Sequence, residues 1–152
     1  MISLEVEGIE QLKAGFTKYG KAADKAVTKA VNITALNIEK DAKSRLRGSH
    51  GSGKHWIIGT LAKSIYNRPT DKPGEKQVGT NLEYAPYIEF GTGDVVFENF
   101  DFSAEAKQYA AQYKGKGIRK VNIRGDSFLN WAAVNQMKKF RERVIAELNK
   151  LK

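Results

Sequence analysis

The chain has 152 residues, is 41% hydrophobic and 28% charged, and contains no cysteine. That predicts one soluble domain with its own core and excludes disulfides, thiolate metal sites and cysteine nucleophiles. The formal charge of +9 is uneven: residues 1–50 carry +3, 51–100 carry −1 and 101–152 carry +7. The basic end therefore points either to an acidic partner or to a lysine-rich solvated surface.

No run approaches the roughly 18 apolar residues of a membrane span. "MISLEVEGIE" has acids where a signal peptide has bases, so it reads as native structure. Ile2, Leu4 and Val6 alternate with polar residues, which predicts a short strand ended by Gly8. Ile9, Leu12, Phe16 and Tyr19 recur at helical spacing and predict a first amphipathic helix before Gly20. A longer helix is predicted over Lys21–Arg47, with the stripe Val27, Val31, Ala35, Ile38, Ala42 and Leu46. At 1.5 Å per residue it is a rod of roughly 40 Å.

"GSHGSGKH" follows as a Gly/Ser loop over about 48–56, expected to be flexible. Gly59-Thr60-Leu61 reads as a turn into one helical turn. Ser64–Arg68 and "KQVGTN" read as two strands, joined by the turn cluster "PTDKPGE" into a hairpin within 63–81. In "YAPYIEFG", Pro86 suits the first turn of a short helix that Gly91 can stop with a positive φ. "DVVFENFDF" is expected to be extended. Ser103 can cap a helix with the stripe Ala106, Tyr109, Ala110 and Tyr113. A strand is predicted at Lys120–Arg124. Asp126 or Ser127 is expected to cap one final helix, with the stripe Leu129, Ala133, Met137, Phe140, Val144, Leu148 and Leu151. The fold class is α+β: a small, mostly antiparallel sheet packed against a long helix and a C-terminal helix, in a single domain 1–152 with a basic insertion at about 94–126.

The sequence offers several candidate chemistries. Gly48, Gly53 and Lys54 fit the P-loop pattern, which needs a strand, a glycine loop and a helix around phosphate. A charged amphipathic helix precedes this loop, no clear helix follows it, and His55 replaces the magnesium-binding hydroxyl. The pattern is therefore read as a solvated connector. His50 and His55 lack further ligands for a metal site. Asp94, Glu98 and Asp101 lack calcium-loop spacing. No catalytic residue, cofactor or metal is assigned, and the chain is read as non-enzymatic. Lys114, Lys116, Arg119, Lys120 and Arg124, preceded by Tyr109 and Tyr113, form the densest basic stretch. They support an alternative reading as a small nucleic-acid-binding protein using residues 114–124.

The segment with most specificity lies between. Gly59–Ile65 resembles a T-G-x-L-x-x-S-I block. Val78-Gly79-Thr80-Asn81 and Tyr84-Ala85-Pro86-Tyr87-Ile88-Glu89-Phe90-Gly91-Thr92 follow it, and Phe128-Leu129 open the final helix. Together, and in this order, they resemble the tail-completion, or head–tail joining, proteins of long-tailed bacteriophages, the gene-product-10 type of minor tail component. Two departures stand out. Ser127 sits where the family pattern usually has proline, and the stretch 94–126 is long and basic. The resemblance implies a structural virion subunit at the head–tail junction, assembled in the bacterial cytoplasm. It implies a ring, expected to be hexameric, with the phage connector or adaptor and the tail tube as partners. No membrane partner is expected; non-specific DNA contact is open. The candidate subunit or partner interface comprises Tyr84, Pro86, Tyr87, Glu89 and Phe90, with Asp71 and Lys72 at the hairpin tip.

Overall fold

Between Gly20 and Gly48 the chain has neither proline nor glycine, and its apolar residues recur every three or four positions. Those features favour an uninterrupted helix. In the computed structural model, which describes residues 2–5, 20–49, 55–92, 103–112 and 124–151, helix α1 spans Gly20–Ser49. Gly20 opens it at φ +54°, a left-handed conformation that suits glycine. All six residues of the expected stripe are buried, and Ala23, Ala26, Ala30 and Thr34 widen it. The alanines let neighbouring elements approach the backbone closely. Ile38 and Leu46 are fully buried, each stabilising the fold by about 1.5–3 kcal/mol.

Strand β1 is Ile2–Glu5, β2 is Tyr66–Pro69 and β3 is Lys76–Thr80. They form one antiparallel sheet in the order β1-β3-β2, with Ile2 opposite Thr80 and Tyr66 opposite Gly79. Pro69 ends an edge strand, where its missing N–H costs no ladder bond. Thr70 and Glu75 close the turn through an Oγ1–Oε2 hydrogen bond of 2.6 Å, and Gly74 supplies φ +79°. Val78 points from the sheet into the core beside Ile38, Leu61 and Ile65.

Helix α2 spans His55–Ser64. This corrects the single helical turn expected at Gly59–Leu61: the apolar run Trp56–Ile58 joins it, and Gly59 lies inside the helix. The strand expected from Ser64 starts two residues later, because Ser64 ends α2. Its Oγ donates to Leu61 O and pairs with Thr80 Oγ1 at 2.6 Å. The "GSHGSGKH" stretch thus begins in α1 and ends in α2, and residues 50–54 lie outside the described residues. The helix expected at Ile9–Tyr19, the extended segment "DVVFENFDF" and residues 120–123 also lie outside them. Short helices α3, Ala85–Phe90, and α4, Ala104–Ala111, follow. Ser103 caps α4 as expected, its Oγ accepting from Ala106 N at 3.2 Å.

The final helix is two helices, α5 at Phe128–Lys138 and α6 at Phe140–Asn149. At the break, Lys139 N–H turns back to Gln136 O, and Arg143 Nη1 also donates to that carbonyl at 3.3 Å. The side chain of Arg143 further reaches Thr34 Oγ1, at 3.0 Å, and Gln136 Oε1. The expected stripe holds at Leu129, Ala133, Phe140 and Val144, which are buried. It fails at Met137 and Leu151, which are exposed, while Gln136 and Glu147 are buried instead. Both buried polar groups have partners on α1. Gln136 Nε2 donates to Asp41, and Glu147 pairs with Lys29 at 2.9 Å as well as with Lys150 at 2.6 Å. From Arg45–Asp126 through Asp41–Gln136 and Thr34–Arg143 to Lys29–Glu147, contacts run in opposite chain order. Helices α5 and α6 therefore lie antiparallel along α1.

A pair of substitutions on α1 tests this packing. Ile38→Ala should lower the unfolding free energy by about 2–5 kcal/mol, whereas Leu36→Ala, at an exposed position, should stay within about 0.5 kcal/mol. Urea denaturation of both variants gives the comparison. Equal losses would mean that α1 turns another face to the core.

Candidate functional site

The tyrosine-rich segment folds into α3 because its own sequence carries the start and stop. Pro86 lies in the first turn, and Gly91 ends the helix at φ +90°. The helix is only six residues long, too short to be stable alone. It is held by the stretch before α5. Asp126 N–H donates to Ile88 O at 2.7 Å, and Ser127 N–H to Glu89 O at 3.0 Å. Gly91 and Arg124 form an isolated antiparallel bridge.

The side chain of Glu89 completes the joint. Its Oε2 accepts from Leu129 N at 2.9 Å and its Oε1 from Asn130 N at 2.8 Å. These are the second and third N–H groups of α5, which have no partner within their own helix. A carboxylate there also meets the positive end of the helix dipole. The expected capping by Asp126 or Ser127 is thereby corrected. Ser127 does occupy the cap position, but at φ +48° and with no side-chain cap bond. Its Oγ is buried without a hydrogen-bond partner. A left-handed residue cannot aim its hydroxyl down the helix, so a carboxylate forty residues earlier does the capping.

Glu89 is 1% exposed. Burial pushes its carboxyl up to about 7, against the two backbone bonds and Arg45, which favour the charge, and with Asp126, which opposes it. Arg45 Nε donates to Asp126 O at 2.9 Å, and its guanidinium stands 4.7 Å from the centre of the Trp131 ring. Gly125 lies against α3 so closely that a β-carbon there would stand 2.5 Å from Phe90 C and 2.6 Å from Glu89 O. With both oxygens engaged and almost no exposure, Glu89 is placed to hold two segments together rather than to exchange protons with a substrate.

The remaining candidates fall in three places. Pro86 and Phe90 are buried, Tyr84 and Tyr87 are half-buried, and the Phe90 ring meets Tyr109 of α4 edge-on at 6.3 Å. Burial also raises the Tyr84 hydroxyl above its ordinary range. Asp71 and Lys72 are exposed at the hairpin tip, with Lys72 Nζ 3.9 Å from Glu75. Of the basic group, Arg124 is exposed, whereas Lys114, Lys116, Arg119 and Lys120 lie outside the described residues, as do Asp94, Glu98, Asp101 and His50. The P-loop argument loses one of its objections, since α2 does begin at His55. A helix rather than a strand still precedes the loop. Among the described residues no group of three or more metal-ligating side chains converges, and no helix is long and apolar enough to cross a membrane.

A family model described as "Bacteriophage HK97-gp10, putative tail-component" matches residues 10–91, just over half of the chain. The chain belongs to this tail-component family. No curated protein and no solved structure matches it. The family match ends at Gly91, so it includes α1, the hairpin and Glu89 of this tail component but not the helix that Glu89 caps. Membership makes the protein a structural component of a phage tail and places it in the virion. The α5 cap was missed because its donor and acceptor lie far apart in sequence. Two local signs pointed to it: one acid inside the apolar "YIEFG", and a helix start with no acid in its first turn.

The joint has two measurable consequences. Unfolded, Glu89 titrates near 4.5; folded, it titrates near 7. The native state binds this proton more tightly, so the stability it contributes is fully present below pH 4.5 and is lost as pH rises towards 7. The loss should reach roughly 3 kcal/mol. Glu89→Gln should lack this slope when both proteins are unfolded in urea from pH 4.5 to 8; parallel curves would disprove the assignment. The backbone is tested separately. Gly125→Ala should cost about 3 kcal/mol or more, and Ser127→Gly should add about 1 kcal/mol by relieving the left-handed serine. Thermal melts that rank the two variants the other way would refute the geometry.

Proposed function

We propose that this tail component is a ring-forming subunit that completes the tail where it meets the head, with copies of itself, the connector or adaptor, and the tail tube as neighbours. The family match over residues 10–91 carries the reading. The motifs quoted from the sequence add to it, since they recur in one order along nearly the whole chain. A ring requires two different surfaces on each subunit, which meet in a head-to-tail contact that closes by rotation. The exposed hairpin tip at Asp71 and Lys72 lies at one end of the sheet, where β2 turns into β3. The 30-residue α1 is long enough, at about 45 Å, to present distinct ends to different neighbours.

Mutant phage particles provide the test. Without this protein, DNA-filled heads and finished tails should accumulate unjoined, and adding the purified subunit should join them. Electron microscopy of the rescued particles should then show a ring of the subunit at the neck. Normal joined particles in its absence, or a location elsewhere on the tail, would overturn the proposal.

A further inference from the structure

The face of α5 and α6 opposite their buried stripe carries Trp131, Val134, Lys138, Arg141 and Ile145, all exposed. Their spacing alternates three and four residues, the spacing of the two contact positions in a heptad. Three of the five are large and apolar, with exposures of 38% for Trp131, 43% for Val134 and 47% for Ile145. Such side chains normally point inward in a helix that serves only as cover for a core. Here the inward face is already filled by Leu129, Ala132, Ala133, Phe140 and Val144, so the same two helices carry a second seam. The break between them is the single residue Lys139, which keeps right-handed helical angles.

We propose that this outer seam docks an amphipathic helix of a partner protein, one whose own seam is apolar at its ends and acidic at its centre. The apolar positions Trp131 and Val134 lie at one end, Ile145 lies at the other, and the cations Lys138 and Arg141 lie between. Each cation calls for an acidic side chain opposite. Trp131 is already steadied by the Arg45 guanidinium over its ring, itself anchored on Asp126. A fixed aromatic anchor loses little freedom on binding. A second copy does not fit the same seam. In a twofold pairing centred on the seam Lys138 would meet its own copy and Arg141 would face a valine, so one cation is repelled and the other is left without an acid. A nucleic-acid backbone would satisfy the cations but leave the tryptophan, valine and isoleucine uncovered. The inference stands whether or not the subunits close into a ring.

A designed helical peptide of about three heptads, with two central seam glutamates flanked by leucines, is the probe. Its binding to the full-length protein is read by fluorescence anisotropy beside the same peptide with lysines in place of the glutamates. The acidic peptide should bind about tenfold more tightly. The double variant Lys138→Glu, Arg141→Glu should reverse that preference, and Val134→Asp should abolish binding of both peptides. All these positions face solvent, so melting temperatures should not move. If Val134→Asp does melt early, Ile145→Asp takes its place. Equal binding or no binding of the two peptides, or a preference that survives charge reversal, would overturn the proposal. So would duplex DNA binding that charge reversal removes and Val134→Asp leaves intact, in a protein that takes neither peptide.

Discussion

The start of α5 rests on one buried carboxylate. Removing Glu89 from water is costly, which is why its proton is held up to about 7. The two N–H bonds from Leu129 and Asn130 offset that cost in the one place where a helix has donors to spare. Neither partner could be buried alone. An uncapped helix end would leave its N–H groups unsatisfied, and an unpaired carboxylate would stay protonated or stay in water. The pairing explains the surrounding backbone. Ser127 takes a left-handed turn, and its N–H and that of Asp126 reach the last carbonyls of α3. Gly125 is bare because α3 passes within 3 Å of where its β-carbon would be. Proline would not fit this turn. It cannot hold φ +48°, and it has no N–H to give to Glu89.

From that joint the rest of the packing follows along α1. Arg45 reaches the joint from one end of the helix, through Asp126 and Trp131. Farther along, Asp41 takes Gln136, Thr34 takes Arg143, and Lys29 takes Glu147. Asp41, Arg45 and Lys29 lie beside the buried stripe, whereas Thr34 lies within it. Burial of alanine, valine and isoleucine supplies most of the stabilisation, and the polar pairs set the register of α5 and α6 against α1. Glu147 differs from Glu89 in sign: Lys150 and Lys29 hold its carboxyl below its ordinary range. The charge of Glu147 is thus favoured by two lysines, that of Glu89 mainly by backbone N–H groups.

What could be read from the sequence was local. The stripe of α1, the hairpin turn, Pro86 and Gly91 around α3, and the Ser103 cap all depend on residues within a few positions of one another. Periodicity and turn chemistry report such features directly. The α5 cap joins residues forty apart, and nothing in a local pattern links them. Helix α2 is longer than expected because Gly59-Thr60-Leu61 reads as a turn into one helical turn, although an interior glycine costs a helix only about 1 kcal/mol. Of the interface residues expected in the signature "YAPYIEFG", Pro86, Glu89 and Phe90 are buried within this chain. The hairpin tip, expected to reach neighbours, is exposed at Asp71 and Lys72.

The last helices show why hydrophobicity alone does not assign a face. A stripe through Leu129, Ala133, Met137 and Phe140 is regular, yet the helix core takes Gln136 in place of Met137. Taken singly, the methionine is the better core residue. Gln136, however, reaches Asp41 and Arg143, and its carbonyl anchors the break before α6. A buried amide with partners costs little, and it fixes a register that methionine, able to fill many gaps, leaves open. Once Gln136 and Glu147 are turned inward, Val134 and Ile145 must turn outward, with Trp131 beside them at the edge that Arg45 reaches. The exposed seam is thus the geometric consequence of the polar contacts that lock α5 and α6 onto α1. Its three apolar residues lie outside the buried core, and the proposed partner helix would give them a contact.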